Sequence, residues 1–207
     1  MERVFVAILT TLFCTILNVK GQENETNWGI KAGANHSSLW DRVEINGRPG
    51  IDYQFNTGFY LGGLANFSLS EKWELQPEVL LSQRNIGIEI DGFIDPEADS
   101  NLYTATRTET LIDLPVMLRF KMSRLFIETG PQFGFLINQK EEVKENPYGD
   151  QEVSLDNYDT FDAGLAAGIG YSFFSKITLN FRYFQGLIKR DESVNSLAFN
   201  LGMEYLF

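Results

Sequence analysis

The chain has 207 residues, 43% of them hydrophobic and 14% aromatic, with 18 Gly, 17 Phe and 8 Tyr, enough for one domain and hardly for two. A formal charge of −11 offers no basic stripe for phosphates, which excludes nucleic acid as a partner, and the aromatic content excludes disorder. One Cys (Cys14) and one His (His36) exclude a disulfide framework and any Cys/His metal cluster.

Residues 1–21 read as a cleaved signal peptide ahead of a single domain over 22–207. Arg3 gives the positive start, Val4 to Leu17 the apolar run, and Val19-Lys20-Gly21 the modest side chains that a signal peptidase reads. The run falls short of the ~20 residues of a spanning helix, which argues against an N-terminal anchor. Bulky Phe13 before Cys14 argues against a lipoprotein. Cleavage removes the only Cys and leaves 15 basic against 27 acidic residues.

Eight stretches of period two then follow in chain order. Trp28, Ile30, Ala32 and Ala34 alternate with Gly29, Lys31, Gly33 and Asn35. Phe59, Leu61, Ala65, Phe67 and Leu69 oppose Tyr60, Gly62, Asn66 and Ser68; Trp73, Leu75, Val79 and Leu81 oppose Glu74, Gln76, Glu78 and Ser82. From Ile112 to Phe120, five apolar residues stand against Asp113, Pro115, Met117 and Arg119. Leu125, Ile127, Phe133 and Phe135 oppose Glu128, Gly130, Gln132 and Gly134. Phe161, Leu165, Ile169, Tyr171 and Phe173 oppose Asp162, Gly164, Gly168, Gly170 and Ser172. Ile177, Leu179, Phe181 and Tyr183 alternate with Thr178, Asn180 and Arg182, and the chain ends with Leu197, Phe199, Leu201, Met203, Tyr205 and Phe207 against Ala198, Asn200, Gly202 and Glu204.

Each stretch is about ten residues, the span of a tilted strand across a bilayer. A soluble sandwich shows the same alternation, but its water-facing side has no need of so many Gly, Ala and Ser. The crowded lumen of a narrow barrel does. Connections also alternate: Ser70-Glu71-Lys72, Ser123-Arg124 and Phe174-Ser175-Lys176 are tight. Those at about Ser38 to Asn56, Arg84 to Thr108, Asn138 to Asn157 and Lys189 to Ser196 are long and polar. The expected fold is therefore all-β: an eight-stranded antiparallel up-and-down transmembrane β-barrel with short periplasmic turns and long external loops.

Six segments carry a family likeness. Trp28-Gly29-Ile30-Lys31-Ala32-Gly33, Gly58-Phe59-Tyr60-Leu61-Gly62-Gly63, Leu75-Gln76-Pro77-Glu78-Val79, Leu111-Ile112-Asp113-Leu114-Pro115-Val116, Gly130-Pro131-Gln132-Phe133-Gly134 and Arg182-Tyr183-Phe184-Gln185-Gly186-Leu187 occur in that order. As a set they resemble the PorT-like outer-membrane β-barrel family of Bacteroidetes-type bacteria, often labelled "porin family protein". The resemblance implies an eight-stranded barrel in the outer membrane; some members serve protein secretion, and most have no assigned activity.

Residues with chemistry are few. His36-Ser37-Ser38 looks like part of the His-x-Ser motif of lipid A deacylases, where His activates Ser. No acid has a spacing that marks it as the third member, and a polar strand end explains the pair better. Asp91, Asp95, Glu97 and Asp99 match no calcium-loop spacing and read as a solvated acidic loop. Gly164, Gly168 and Gly170 read as small lumen residues rather than a phosphate loop. Asn24, Asn35 and Asn66 head Asn-x-Ser/Thr triplets of little weight in a bacterial envelope.

The charges that parity turns inward are Lys31, Glu78, Asp113, Arg119, Glu128, Asp162, Arg182 and Glu204. Unpaired charge in a narrow lumen is costly. The Ser123-Arg124 turn sets Arg119 opposite Glu128, so those two are expected to pair, with Glu204 meeting Lys31 or Arg182. Phe207 is expected to carry the signal for the barrel-assembly machinery. The expected partners are outer-membrane lipid, lipopolysaccharide and that machinery, with envelope or secretion proteins beyond them. No cofactor, metal or catalytic residue is expected. The expected function is a monomeric structural, binding or accessory barrel, ahead of a small pore, of a PorT-like accessory of protein secretion and, last, of a lipid A hydrolase.

Overall fold

The computed structural model describes residues 26–40, 43–45, 48–90, 103–144, 151–154, 160–190 and 194–207. Residues 1–25 and the acidic segment holding Asp91, Asp95, Glu97 and Asp99 lie outside the described residues. There are ten strands: β1 (Thr26–Trp40), β2 (Val43–Ile45), β3 (Arg48–Ser68), β4 (Trp73–Ile90), β5 (Tyr103–Met122), β6 (Leu125–Lys144), β7 (Gln151–Ser154), β8 (Phe161–Ser172), β9 (Ile177–Gly186) and β10 (Asn195–Leu206). Each long strand pairs antiparallel with its neighbour in sequence, and β1 pairs with both β3 and β10. Eight strands thus close a ring, and closure leaves that ring no unpaired edge. The short β2 and β7 only extend β3 and β6.

Parity decides which side each residue faces. Large apolar side chains such as Ile30, Leu61, Leu81, Ile127, Leu165, Phe181 and Leu201 point outward and stay 45–54% or otherwise largely exposed, because lipid rather than protein is their solvent. Their neighbours Lys31, Gly62, Ser82, Glu128, Ala166, Arg182 and Gly202 point inward. Among the described residues there is no α-helix.

Three tight connections close one end. Leu69 and Ser70 donate to the Trp73 carbonyl, and Phe173 donates to that of Ile177. In the two-residue β5–β6 connection Met122 faces Leu125, and Ser123 has φ 62°, the sign a type II′ turn requires at its first position.

Strand lengths differ from the ten residues expected. β3, β4, β5 and β6 run for 21, 18, 20 and 20 residues, so the long connections are shorter than the sequence suggests. The apolar alternation ends where lipid ends, but the backbone ladder carries on. Polar pairs such as Arg107–Glu141 (2.6 Å) hold it there. Arg84, expected in a loop, lies inside β4 and faces the lumen.

Two irregularities re-aim side chains. One extra residue on β3 between Phe55 and Phe59 shifts the β3–β4 register. On β6, Leu136 pairs with Leu111 but Asn138 with Thr110, so Ile137 bulges outward and Gln139 turns into the lumen.

A candidate functional site in the barrel lumen

The inward face carries a closed ring of six charges. Lys31 (β1) meets Glu78 (β4) at 3.0 Å. Arg182 (β9) grips the same Glu78 with both terminal nitrogens, at 2.8 and 3.0 Å. Its Nε donates to Glu128 Oε1 (β6) at 2.8 Å, and Arg119 Nε (β5) donates to Glu128 Oε2 at 2.8 Å. Arg119 then grips Glu204 (β10) at 2.6 and 2.9 Å, and Glu204 returns to Lys31 at 3.0 Å. Cation and carboxylate alternate, three of each, so the ring is neutral.

Local structure explains why these groups meet. Arg119 and Glu128 are direct cross-strand partners, as are Lys31 and Glu204 across the seam between first and last strands. Small inward residues leave room for long ones: Gly168 pairs with both Glu128 and Arg182. Phe126 lies over Gly170, where a Cβ would collide with its ring, and the Arg119 guanidinium stacks on Phe126 at 4.3 Å. Tyr60 lies in the same way across Gly33 and Gly202. Amides fill the remaining valences: Gln76 donates to Glu78 (2.9 Å) and Glu204 (3.2 Å), Asn180 to Glu204 (2.6 Å), and Asn66 to Gln76 (3.2 Å). Each member of the ring is at most 3% exposed. Breaking one partner of such a buried pair costs roughly 3–5 kcal/mol, because the other charge stays buried.

Nearer the external mouth lie two smaller clusters. Arg84 bridges Asp113 (2.8 Å) and Asp162 (3.1 Å), its guanidinium 5.3 Å from the centre of the Phe184 ring. Arg190, from the chain beyond β9, turns inward and grips Glu109 at 2.8 and 2.9 Å. Its backbone pairs with Val194, which packs on Leu39, Ile86 and Tyr53. Arg190 and Val194 are both buried there.

All eight inward charges named from the sequence face the lumen: six form the ring, and Asp113 and Asp162 share Arg84. Arg119 meets Glu128. Glu204 meets Lys31 and also Arg119, while Arg182 turns to Glu78 and Glu128 instead. Sequence reasoning did not name Gln76, Arg84, Glu109 or Arg190 in this role. Parity alone would have reached Arg84 from Ser82 and Glu109 from Asp113, whereas nothing in the sequence marks Arg190.

The other candidates do not assemble. His36 is exposed on the outer face, stacked on Phe55 (5.2 Å) with Nδ1 3.2 Å from Thr57 Oγ1, while Ser38 Oγ donates to the Tyr53 carbonyl at 3.2 Å. No hydrogen bond joins them among the described residues. Gly164, Gly168 and Gly170 lie within β8. Asn35 donates to the Gln83 carbonyl inside the barrel. Phe207 is exposed at the closed end, its N–H bonded to the Trp28 carbonyl at 2.9 Å.

Comparison with known proteins agrees with this architecture. The model of the outer membrane protein beta-barrel domain matches residues 20–192. Neisserial surface protein A shares 14% identity over 88% of this chain and 99% of its own, with a TM-score of 0.51, a likeness of fold alone. Ail of Yersinia pestis (15% identity, 88% and 99% coverage) scores 0.49, and OprG of Pseudomonas aeruginosa (13%, 89% and 97%) scores 0.47. No curated protein matches the chain.

Proposed function

The chain belongs to the outer membrane protein beta-barrel domain family, and from that premise we propose that it is a closed barrel with a structural, binding or accessory task in the envelope, neither a solute pore nor an enzyme. The charge ring carries this reading. An eight-stranded barrel is about wide enough to be filled by its own side chains, and here Lys31, Arg119, Arg182 and three glutamates meet in its middle. A hydrated ion passing this level would have to part charge pairs held at 2.6–3.0 Å.

Planar-bilayer recording of the purified barrel tests the reading. The closed barrel gives no stable single-channel steps. Steps that persist in the wild-type protein overturn it.

Another reading is a PorT-like accessory of protein secretion; it follows from the family resemblance of the segments from Trp28 to Leu187, none of which is itself a motif of the secretion branch. In either case a leader over residues 1–21 is removed on export, the barrel-assembly machinery recognises the last strand, and the monomer sits among phospholipid and lipopolysaccharide. Crosslinking followed by capture of envelope partners separates the two readings: secretion components bound through the loops favour the second. Unchanged lipid A masses in cells with and without the protein accord with the absence of acyl-hydrolase activity.

A further inference from the structure

Among the described residues the barrel buries eleven charged side chains, five cations and six carboxylates. The ring is balanced, and so is the Arg190–Glu109 pair. The excess carboxylate belongs to the Arg84 cluster, where one guanidinium serves both Asp113 and Asp162. An uncompensated negative charge in a poorly hydrated interior is strongly disfavoured.

Beside Asp113 lies a void of about 10 Å³, room for one particle the size of a water molecule. Arg84 takes Asp113 Oδ1, which leaves Oδ2 available. Around the same void stand Tyr60, Ser82, Gln132 and Asn200. The Tyr60 hydroxyl is fully buried and, among the described residues, has no hydrogen-bond partner. The side chains of Ser82, Gln132 and Asn200 make no hydrogen bond to another protein group among the described residues. Arg182 also borders the void, but all three of its nitrogens are directed to Glu78 and Glu128.

We propose that this void is a binding site for one monovalent alkali cation, held by Asp113 and by the side-chain oxygens of Tyr60, Ser82, Gln132 and Asn200. Hard cations take oxygen ligands of this kind, from carboxylate, hydroxyl and amide carbonyl. One positive charge brings the buried charges to balance. A divalent ion would overshoot it, and a single carboxylate oxygen is a poor match for magnesium or calcium. A proton on an aspartate, with a water molecule in the void, would also restore neutrality and partner the same side chains; sodium retention and the protonated-carboxyl infrared band separate the two.

Equilibrium dialysis of the folded, detergent-solubilised barrel against radiolabelled sodium tests the site. One sodium per barrel is expected, displaced by excess potassium and not by choline. Asp113→Asn removes the excess charge while leaving Arg84 its Asp162 partner, so it should fold and lose the bound sodium. Tyr60→Phe should weaken retention. In parallel, the urea midpoint should rise when sodium replaces choline at fixed ionic strength in the wild type, and not in Asp113→Asn. Absence of bound sodium overturns the proposal, and so does retention unchanged in Asp113→Asn. A protonated-carboxyl infrared band in the sodium-free wild type, lost in Asp113→Asn, would show that a proton fills the role instead.

Discussion

Arg119 is held from three sides: Glu128 Oε2 on its Nε, Glu204 on its two terminal nitrogens, and the Phe126 ring against its face. Such a guanidinium cannot be replaced by lysine without losing the fork and the stacking plane. Glu128→Gln and Arg119→Gln should each destabilise the barrel by about 3–5 kcal/mol. The double mutant should cost clearly less than the sum, since each single change strands the other charge. Urea unfolding in lipid vesicles measures all three, and strict additivity would mean the pair is hydrated and independent. Tyr60 poses a steric counterpart. A Cβ on Gly202 would collide with its hydroxyl, so Gly202→Ala should cost about 1–3 kcal/mol, the usual range for overpacking. Adding Tyr60→Phe should recover part of that loss, because the hydroxyl is the nearest obstacle.

Elements were legible in the sequence to different degrees. In all eight barrel strands the inward and outward sets follow from parity, because lipid on one side and a crowded lumen on the other impose opposite chemistry on successive residues. The strand ends did not follow. Beyond the lipid both faces of the β5–β6 hairpin are polar, so a paired strand and a loop have the same composition there. The Ile137 bulge inserts one residue with no signal of Gly or Pro, and Arg190 reaches the lumen from a segment whose charge reads as solvated. Arg119 and Glu128 were legible because a two-residue turn fixes their register; the link from Arg182 to Glu78, across the lumen, depends on barrel curvature that no local pattern encodes.

The last strand adds a prediction of its own. Phe207 ends a ladder in which its N–H closes on Trp28 and its ring meets Tyr205 edge-on at 6.0 Å. Its deletion removes the terminal aromatic and this last rung. Heat-modifiable, folded protein in the membrane should fall, as read by gel mobility of unboiled samples. Unchanged assembly would leave Phe207 as one more interfacial aromatic.

Taken whole, the molecule joins six strands through one charge ring, and those strands reach their places at different moments. Arg119 and Glu128 are nine residues apart and meet as soon as their hairpin forms. Lys31 and Glu204 stand on the first and last strands and meet only when the seam closes. The ring is therefore completed last and must be opened first. Its energy enters the barrier to leaving the native state more than the barrier to reaching it, the mark of interactions absent from the transition state. Lys31→Gln should accelerate unfolding by an order of magnitude or more (on the order of 1.4 kcal/mol per tenfold) while leaving the folding rate nearly unchanged. Tryptophan fluorescence after jumps in urea, in vesicles, reads both rates. A slowed folding limb would place seam closure before the rate-limiting step. As built, the seam works as a ratchet, and a barrel that has once closed keeps its shape by reluctance to reopen.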